Sequence, residues 1–153
     1  MKSKKSYERS LKIHFRDADP AGIMYFANLF SFAHDTFESF IVDAGIPWNQ
    51  WFQDNKHLVP IRHAECDYLS PFFPGKTYQV LTQVESISDS TFRMRYTFFE
   101  PDSAKSREKK IHAVVKIAHT FVDPKSKKKS NIPKEFRAKI TPYLISEIKK
   151  GRP

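Results

Sequence analysis

The chain has 153 residues, enough for one domain with a continuous core and too few for two ordinary ones. Hydrophobic residues make up 40% and Phe alone accounts for 14 positions, which excludes the aromatic-poor, highly charged class of disordered chains. Lys and Arg number 26 against 17 Asp and Glu, a formal charge of +9 that should attract a polyanion. Nucleic acid, an anionic membrane surface, an acidic carrier protein and the phosphates of a coenzyme all have the right sign.

The first residues, MKSKKSYERS, are polar, and no apolar segment behind them resembles a signal peptide. No run approaches the roughly 18 apolar residues that span a bilayer. The single Cys66 excludes an internal disulfide and supplies at most one ligand to a metal cluster. A cytoplasmic protein with no membrane span is the expectation.

In chain order, residues 10–16 read as a short strand and residues 17–22, DADPAG, as a dense turn. Next comes the longest element. Phe26, Leu29, Phe30, Ala33, Phe37, Phe40, Ile41 and Ala44 recur at steps of three and four, the mark of a helix with one broad buried face. Gly45 and Pro47 close it. So many Phe on one face predict a helix that forms the centre of the domain, with a sheet around it.

The strands follow. Ala64, Cys66 and Tyr68 alternate with polar neighbours, and so do Tyr78, Val80, Thr82 and Val84, then Phe92, Met94, Tyr96 and Phe98. Residues 111–122 form a long run rich in β-branched residues. Connections near residues 71–75, 88–90 and 101–107 are short and polar or Pro-rich, which predicts antiparallel hairpins and a four-stranded meander after the helix. Residues 123–133 read as a Lys-rich loop and residues 142–150 as a short terminal helix. The class is α+β: an antiparallel sheet of about five strands wrapped around one long central helix.

Several chemistries lack their usual residues. There is no Gly-rich phosphate loop, no G-x-S-x-G elbow, no H-E-x-x-H and no paired C-x-x-C. The six histidines show no metal-ligand spacing, so no metal is expected. The informative segment is residues 13–37, where Asp17 and Asp19 precede the amino end of the buried helix. Unpaired N–H groups there carry partial positive charge. A carboxylate can attack a carbonyl or activate a water while such N–H groups stabilise the developing oxyanion. The plainer alternative, that either Asp only caps the helix or fixes an Asx turn, stays open at this point.

This segment resembles the motif D-x-D-x-x-G-x-x-x-x-x-N of the 4-hydroxybenzoyl-CoA thioesterase-like family of hotdog-fold proteins, matched by Asp17, Asp19, Gly22 and Asn28. The DPAG run, residues 19–22, is especially similar to the 4-hydroxybenzoyl-CoA enzymes. The resemblance continues more weakly through Gly45-Ile46-Pro47, residues 60–68 and Ile132-Pro133. It implies a single hotdog thioesterase domain over residues 1–153, hydrolysing an acyl-CoA without a cofactor. Asp19 would be the catalytic carboxylate, as nucleophile or as general base. The Phe26 backbone N–H would polarise the thioester carbonyl. Asp17, Gly22, Tyr25 and Asn28 would shape or position the substrate site. Homodimers or tetramers, with each site built from two chains, are implied as well.

Two departures qualify the resemblance. Many relatives carry a histidine after the tyrosine, whereas this chain has Phe26, so a histidine's role cannot transfer and an aromatic or otherwise apolar acyl group is the better expectation. The family's Arg/Lys cluster is missing from residues 86–91, SISDST, which moves the expected phosphate contact to Lys127, Lys128 and Lys129 in the Lys-rich loop. That loop equally suits a solvated turn. Asp35 and Glu38 on the helix are a secondary carboxylate choice, and Cys66, alternating inward, is expected as a core thiol. Three other functions compete: a hydratase or dehydratase acting on acyl thioesters, which would pair Asp19 with a histidine where the motif region offers only His14 and His34; hydrolysis of acyl carrier protein thioesters; and a basic non-catalytic binding module that needs no Asp19. No nucleic acid is expected as partner.

Overall fold

A computed structural model describes residues 4–52, 56–101 and 109–145. Five antiparallel strands, β1 (Tyr7–Lys12), β2 (Ile61–Tyr68), β3 (Thr77–Ile87), β4 (Thr91–Phe99) and β5 (Ile111–Thr120), form one sheet in the order β1-β3-β4-β5-β2. The long helix α1 (Asn28–Asp43) lies against its concave face.

The core follows from two periodicities meeting. Leu29, Ala33, Thr36, Phe37, Phe40 and Ile41 make one buried stripe on α1. Alternate residues of the strands, including Val80, Val84, Phe92, Met94, Tyr96, Phe98, Ala113 and Val115, face that stripe and are fully buried. Gly45 ends α1 in the left-handed conformation, φ +85°, and Ile46 N–H reaches back to the Ile41 carbonyl at 2.9 Å, a Schellman closure. The predicted wrapping of a sheet around a Phe-rich helix is therefore the observed architecture.

The connectivity departs from the predicted meander. Only β3, β4 and β5 follow one another as neighbours; β2 lies at the far edge and pairs with β5, for example Cys66 with Val115. Residues 69–76 are thus a crossover from the β2 edge to β3, beside the opposite edge strand β1, not a hairpin. Phe72 explains why: it is buried, its carbonyl accepts Met24 N–H at 2.9 Å, and its ring packs on Tyr78 and Phe98. The crossover is pinned to the segment that leads into α1. The connection expected at residues 101–107 falls largely outside the described residues.

Both chain ends also differ. β1 starts at Tyr7, earlier than predicted, because Tyr7 and Arg9 pair with Thr82 and Val80. Beyond Lys12 the chain turns, with a 3-10 turn at Phe15–Asp17. After a short helix α2 (Trp48–Phe52), which has no signal in the sequence pattern, the last helix is α3 (Lys134–Ile140), followed by a 3-10 turn at Thr141–Tyr143. It starts directly after Pro133, and Phe136, Ile140 and Tyr143 are buried. Of the helix expected at residues 142–150, residues 146–150 lie outside the described residues.

Candidate active site

Residues 14–28 fold back on themselves, and Asp17 is the knot. Its Oδ2 accepts the His14 N–H at 2.7 Å. Its carbonyl accepts Tyr25 N–H at 2.8 Å and the Asn28 side-chain amide at 2.9 Å. Asp17 and Asn28, two residues the resemblance places in the substrate site, thus serve the fold of the segment itself by fastening the turn to the first residue of α1.

Asp19 occupies a small loop closed by the Ala18–Met24 bridge and by Asp19 N–H bonding to the Ile23 carbonyl at 3.1 Å. Gly22 makes the loop possible. It adopts φ +78°, where a side chain is strained, and its N–H returns to the Asp19 carbonyl at 3.0 Å. One carboxylate oxygen, Oδ1, accepts Ala21 N–H at 2.8 Å, which is the Asx turn left open by the sequence. That turn orients the carboxylate without consuming it: Oδ2 has no partner among the described residues.

The start of α1 is equally telling. No side chain caps it, and Asn28, the natural candidate, points back to Asp17 instead. Asn28, Leu29 and Phe30 N–H bond to the carbonyls of Tyr25, Phe26 and Ala27. The N–H groups of Phe26 and Ala27 have no acceptor among the described residues. Uncapped donors at a helix start form an anion-binding end.

Phe26 also lines a shallow cavity of about 360 Å³ with Ile23, Met24, Tyr68, Leu69, Pro71 and Phe72. The volume lies within the roughly 300–1,000 Å³ range of small-molecule sites, and the lining is almost wholly apolar. Tyr25 is not in the lining but packs edge-on against the Phe26 ring at 5.0 Å. Tyr68, at the end of β2, joins the site without any sign in the sequence. Its hydroxyl donates to the Phe26 carbonyl at 2.6 Å. Burial pushes its pKa up to about 12, with the Cys66 thiol beside it adding to the effect, so it remains a donor at any working pH. A tyrosine 42 residues away in sequence gives no local pattern from which this contact could be read.

The Lys run lies elsewhere. Asp123 Oδ1 accepts the Lys125 and Ser126 N–H groups, Lys127 adopts φ 61°, and Val122 bridges to both Lys129 and Leu58. Leu58 precedes β2, whereas Tyr68 ends it. Seven strand steps of ~3.3 Å separate Ile61 from Tyr68 by roughly 23 Å, so within one chain Lys127, Lys128 and Lys129 sit at the opposite end of the sheet from Asp19.

The remaining candidates sort readily. Glu38, held 3.6 Å from His34, is ten residues into α1, ~15 Å from its start at ~1.5 Å per residue, and Asp35 is exposed on the same helix. Cys66 is half-buried, not a core thiol, because β2 is an edge strand; burial raises its pKa, which suppresses nucleophilicity. Arg93 pairs with Glu85 at 3.8 Å. Among the described residues no cluster of three or more His, Cys, Asp and Glu could hold a metal ion. No helix there is long and apolar enough to cross a membrane.

The sequence pattern of the thioesterase-like superfamily matches residues 13–140. The chain belongs to that superfamily. A 1,4-dihydroxy-2-naphthoyl-CoA hydrolase of Gloeothece citriformis is 30% identical over 83% of this chain and 85% of its own length. Another, from Thermosynechococcus vestitus, is 33% identical over 62% of this chain and 64% of its own. Among solved structures, a 1,4-dihydroxy-2-naphthoyl-CoA thioesterase from Synechocystis superposes with a TM-score of 0.79 at 20% identity, over 89% of this chain and 96% of that one. A 4-hydroxybenzoyl-CoA thioesterase crystallised with 4-hydroxybenzoyl-CoA gives 0.77 at 14% identity, over 89% and 99%. These likenesses establish the hotdog fold.

Proposed function

We propose that the protein is an acyl-CoA thioesterase acting on an aromatic acyl group, with Asp19 as its catalytic carboxylate. One observation carries the reading: a carboxylate with a free oxygen is held in a rigid turn next to an uncapped helix start whose Phe26 and Ala27 N–H groups await an acceptor. The thioester oxygen accepts from the helix start while Asp19 attacks the carbonyl carbon or activates a water. In either case the C–S bond breaks and the thiolate leaves, taking up the proton that water gives up; where Asp19 itself attacks, water then hydrolyses the acyl–Asp19 anhydride and frees the carboxylate. A flat ring fits the apolar cavity bordered by Phe26, Met24, Tyr68 and Phe72, in keeping with the dihydroxynaphthoyl thioesters for which the relatives are named.

One chain leaves this cavity open at an edge. β2 is exposed along almost its whole length, and Ile61, Tyr68 and Leu69 present apolar surface beside it. Two copies pairing antiparallel through β2 satisfy that edge. The same pairing brings the Lys-bearing end of one subunit toward the Asp19 end of the other, where Lys127, Lys128 and Lys129 meet coenzyme A phosphates across the interface.

The test is thiol release from benzoyl-, hydroxybenzoyl-, hydroxynaphthoyl-, butyryl- and palmitoyl-CoA by wild type and Asp19→Asn side by side, with a protein-only blank for Cys66. Turnover of the aromatic thioesters, falling about a hundredfold or more in the variant, is expected. No turnover of any thioester by a folded protein would overturn the reading and favour a binding module. Turnover only of acyl carrier protein thioesters would move the carrier but keep the chemistry.

A further inference from the structure

The thioesterase reading leaves one contact unexplained: the 2.6 Å hydrogen bond from the Tyr68 hydroxyl to the Phe26 carbonyl. It bridges the exposed edge strand and the start of α1, and it falls on a particular peptide group. The Phe26 carbonyl and the Ala27 N–H belong to the same peptide plane and point in opposite directions. Whatever grips the carbonyl aims the N–H. Asn28 N–H bonds to the Tyr25 carbonyl, which makes Phe26 and Ala27 the two central residues of one tight turn, and Ala27 has helical dihedrals, φ −69° and ψ −22°; successive N–H groups at such a helix entry point the same way, out of the first turn.

We infer that Tyr68 is a positioning residue for the reaction: by donating to the Phe26 carbonyl, it fixes and polarises the Phe26–Ala27 peptide so that Ala27 N–H joins Phe26 N–H as a second oxyanion donor. This rests on the thioesterase reading and deepens it. A hydrogen bond accepted by a peptide carbonyl draws charge through the amide and strengthens donation by its N–H. Without Tyr68 that carbonyl keeps only the 3.3 Å bond from Leu29 N–H, a weak anchor in a first turn closed by bonds to the third residue back. The tyrosine also supplies what the missing cap does not, a fixed geometry for donors that must stay unpaired until substrate arrives. Its ring lies 6.3 Å from the Phe26 ring in an edge-to-face arrangement, which holds the hydroxyl in place from the other side.

The experiment compares wild type, Tyr68→Phe and a series with fluorinated tyrosines incorporated at position 68, assayed on the aromatic acyl-CoA that turns over fastest. The pH is kept below the ionisation of every phenol in the series. Removing an oxyanion donor outright costs roughly 10²–10³ in kcat, and a support one bond removed costs less, about tenfold. Tyr68→Phe is expected to lower kcat about tenfold with KM, Tm and subunit mass unchanged. In the fluorinated series, whose members keep the fold and the bond, kcat should rise with the acidity of the phenol. A mere fastener between β2 and α1 has no reason to follow phenol acidity and would instead lower Tm or raise KM. Unchanged kcat in Tyr68→Phe, or kcat indifferent to acidity across the series, overturns the inference while an inactive Asp19→Asn keeps the parent reading. Full activity of Asp19→Asn sinks the parent reading whatever Tyr68 does.

Discussion

The two ends of α1 are built from similar material and do different things. At its C-terminal end, beyond Gly45, lies the larger cavity, about 620 Å³, lined by Trp51, His57, Phe121 and Phe136 among others. Its floor continues into a cluster in which Phe37, Phe92 and His119 stack on one another, the phenyl centroids 4.6 and 4.9 Å from the imidazole and 6.2 Å from each other. His119 is buried and its Nε2 has no partner among the described residues; burial holds its pKa down at about 3, so it is neutral. At the N-terminal end the cavity is smaller and shallower, yet it has a carboxylate with a free oxygen and two unpaired backbone donors. Volume alone favours the C-terminal end. What distinguishes the two is where unpaired polarity is exposed: donors left open at a helix start can stabilise charge, whereas a ring nitrogen buried among phenyl rings is kept neutral.

The contrast can be broken in four places. The largest expected effect is structural: Phe37→Ala removes a buried ring that touches Phe40, Trp51, Phe92 and His119, and should cost about 3–5 kcal/mol in denaturant unfolding. Next, Asp19→Asn at the other end should lose about a hundredfold in turnover, ~2.7 kcal/mol of transition-state stabilisation, while unfolding moves by less than ~0.5 kcal/mol. If Asp19→Asn costs stability and spares turnover, the assignment of the two ends is reversed.

His119 gives a pH test with a definite sign. Its folded pKa, about 3, lies below the ordinary 6.5, so between those values the unfolded chain binds a proton that the native chain does not. Stability from this group is complete above about 6.5 and is lost as pH falls toward about 3. His119→Phe, which keeps an aromatic ring in the stack, should flatten the acid side of the stability profile over that window, read from unfolding midpoints at several pH values. The smallest effect belongs to the exposed lysines. Replacing Lys127, Lys128 and Lys129 together by Ser should raise KM for an acyl-CoA a few-fold and leave kcat alone. The difference should shrink in high salt, where exposed charges are screened within ~3–10 Å. A change in kcat instead would mean that the loop does more than hold phosphates.

How much of this is legible in the sequence depends on how local the cause is. The α1 stripe, the alternation of β3, β4 and β5 and the turn at Asp19 are written in residues close in sequence, because helical and strand periods and the Gly22 left-handed turn are local geometry. The DxD segment likewise announces a carboxylate before a helix. It does not announce that Asp17 and Asn28 bind each other's neighbourhood before anything else, since an Asn near a helix start suits capping and bridging equally. The position of β2 is hidden because an alternating strand says which face is apolar, not which neighbour it pairs with. The burial of Phe72 against Tyr78 and Phe98 anchors the crossover that carries the chain to β3. Tyr68 is hidden for the same reason, its partner being 42 residues back.

By itself, then, the sequence determined the class of fold, the central helix and the turn that sets a carboxylate before it, all consequences of period and turn chemistry within a few residues. Tertiary structure alone decided that β2 is an edge, that the Lys run is remote from Asp19 within one chain, and that a tyrosine hydroxyl grips the first turn of α1. Those facts depend on which distant backbones meet, and packing settles that only once the sheet has closed around the helix.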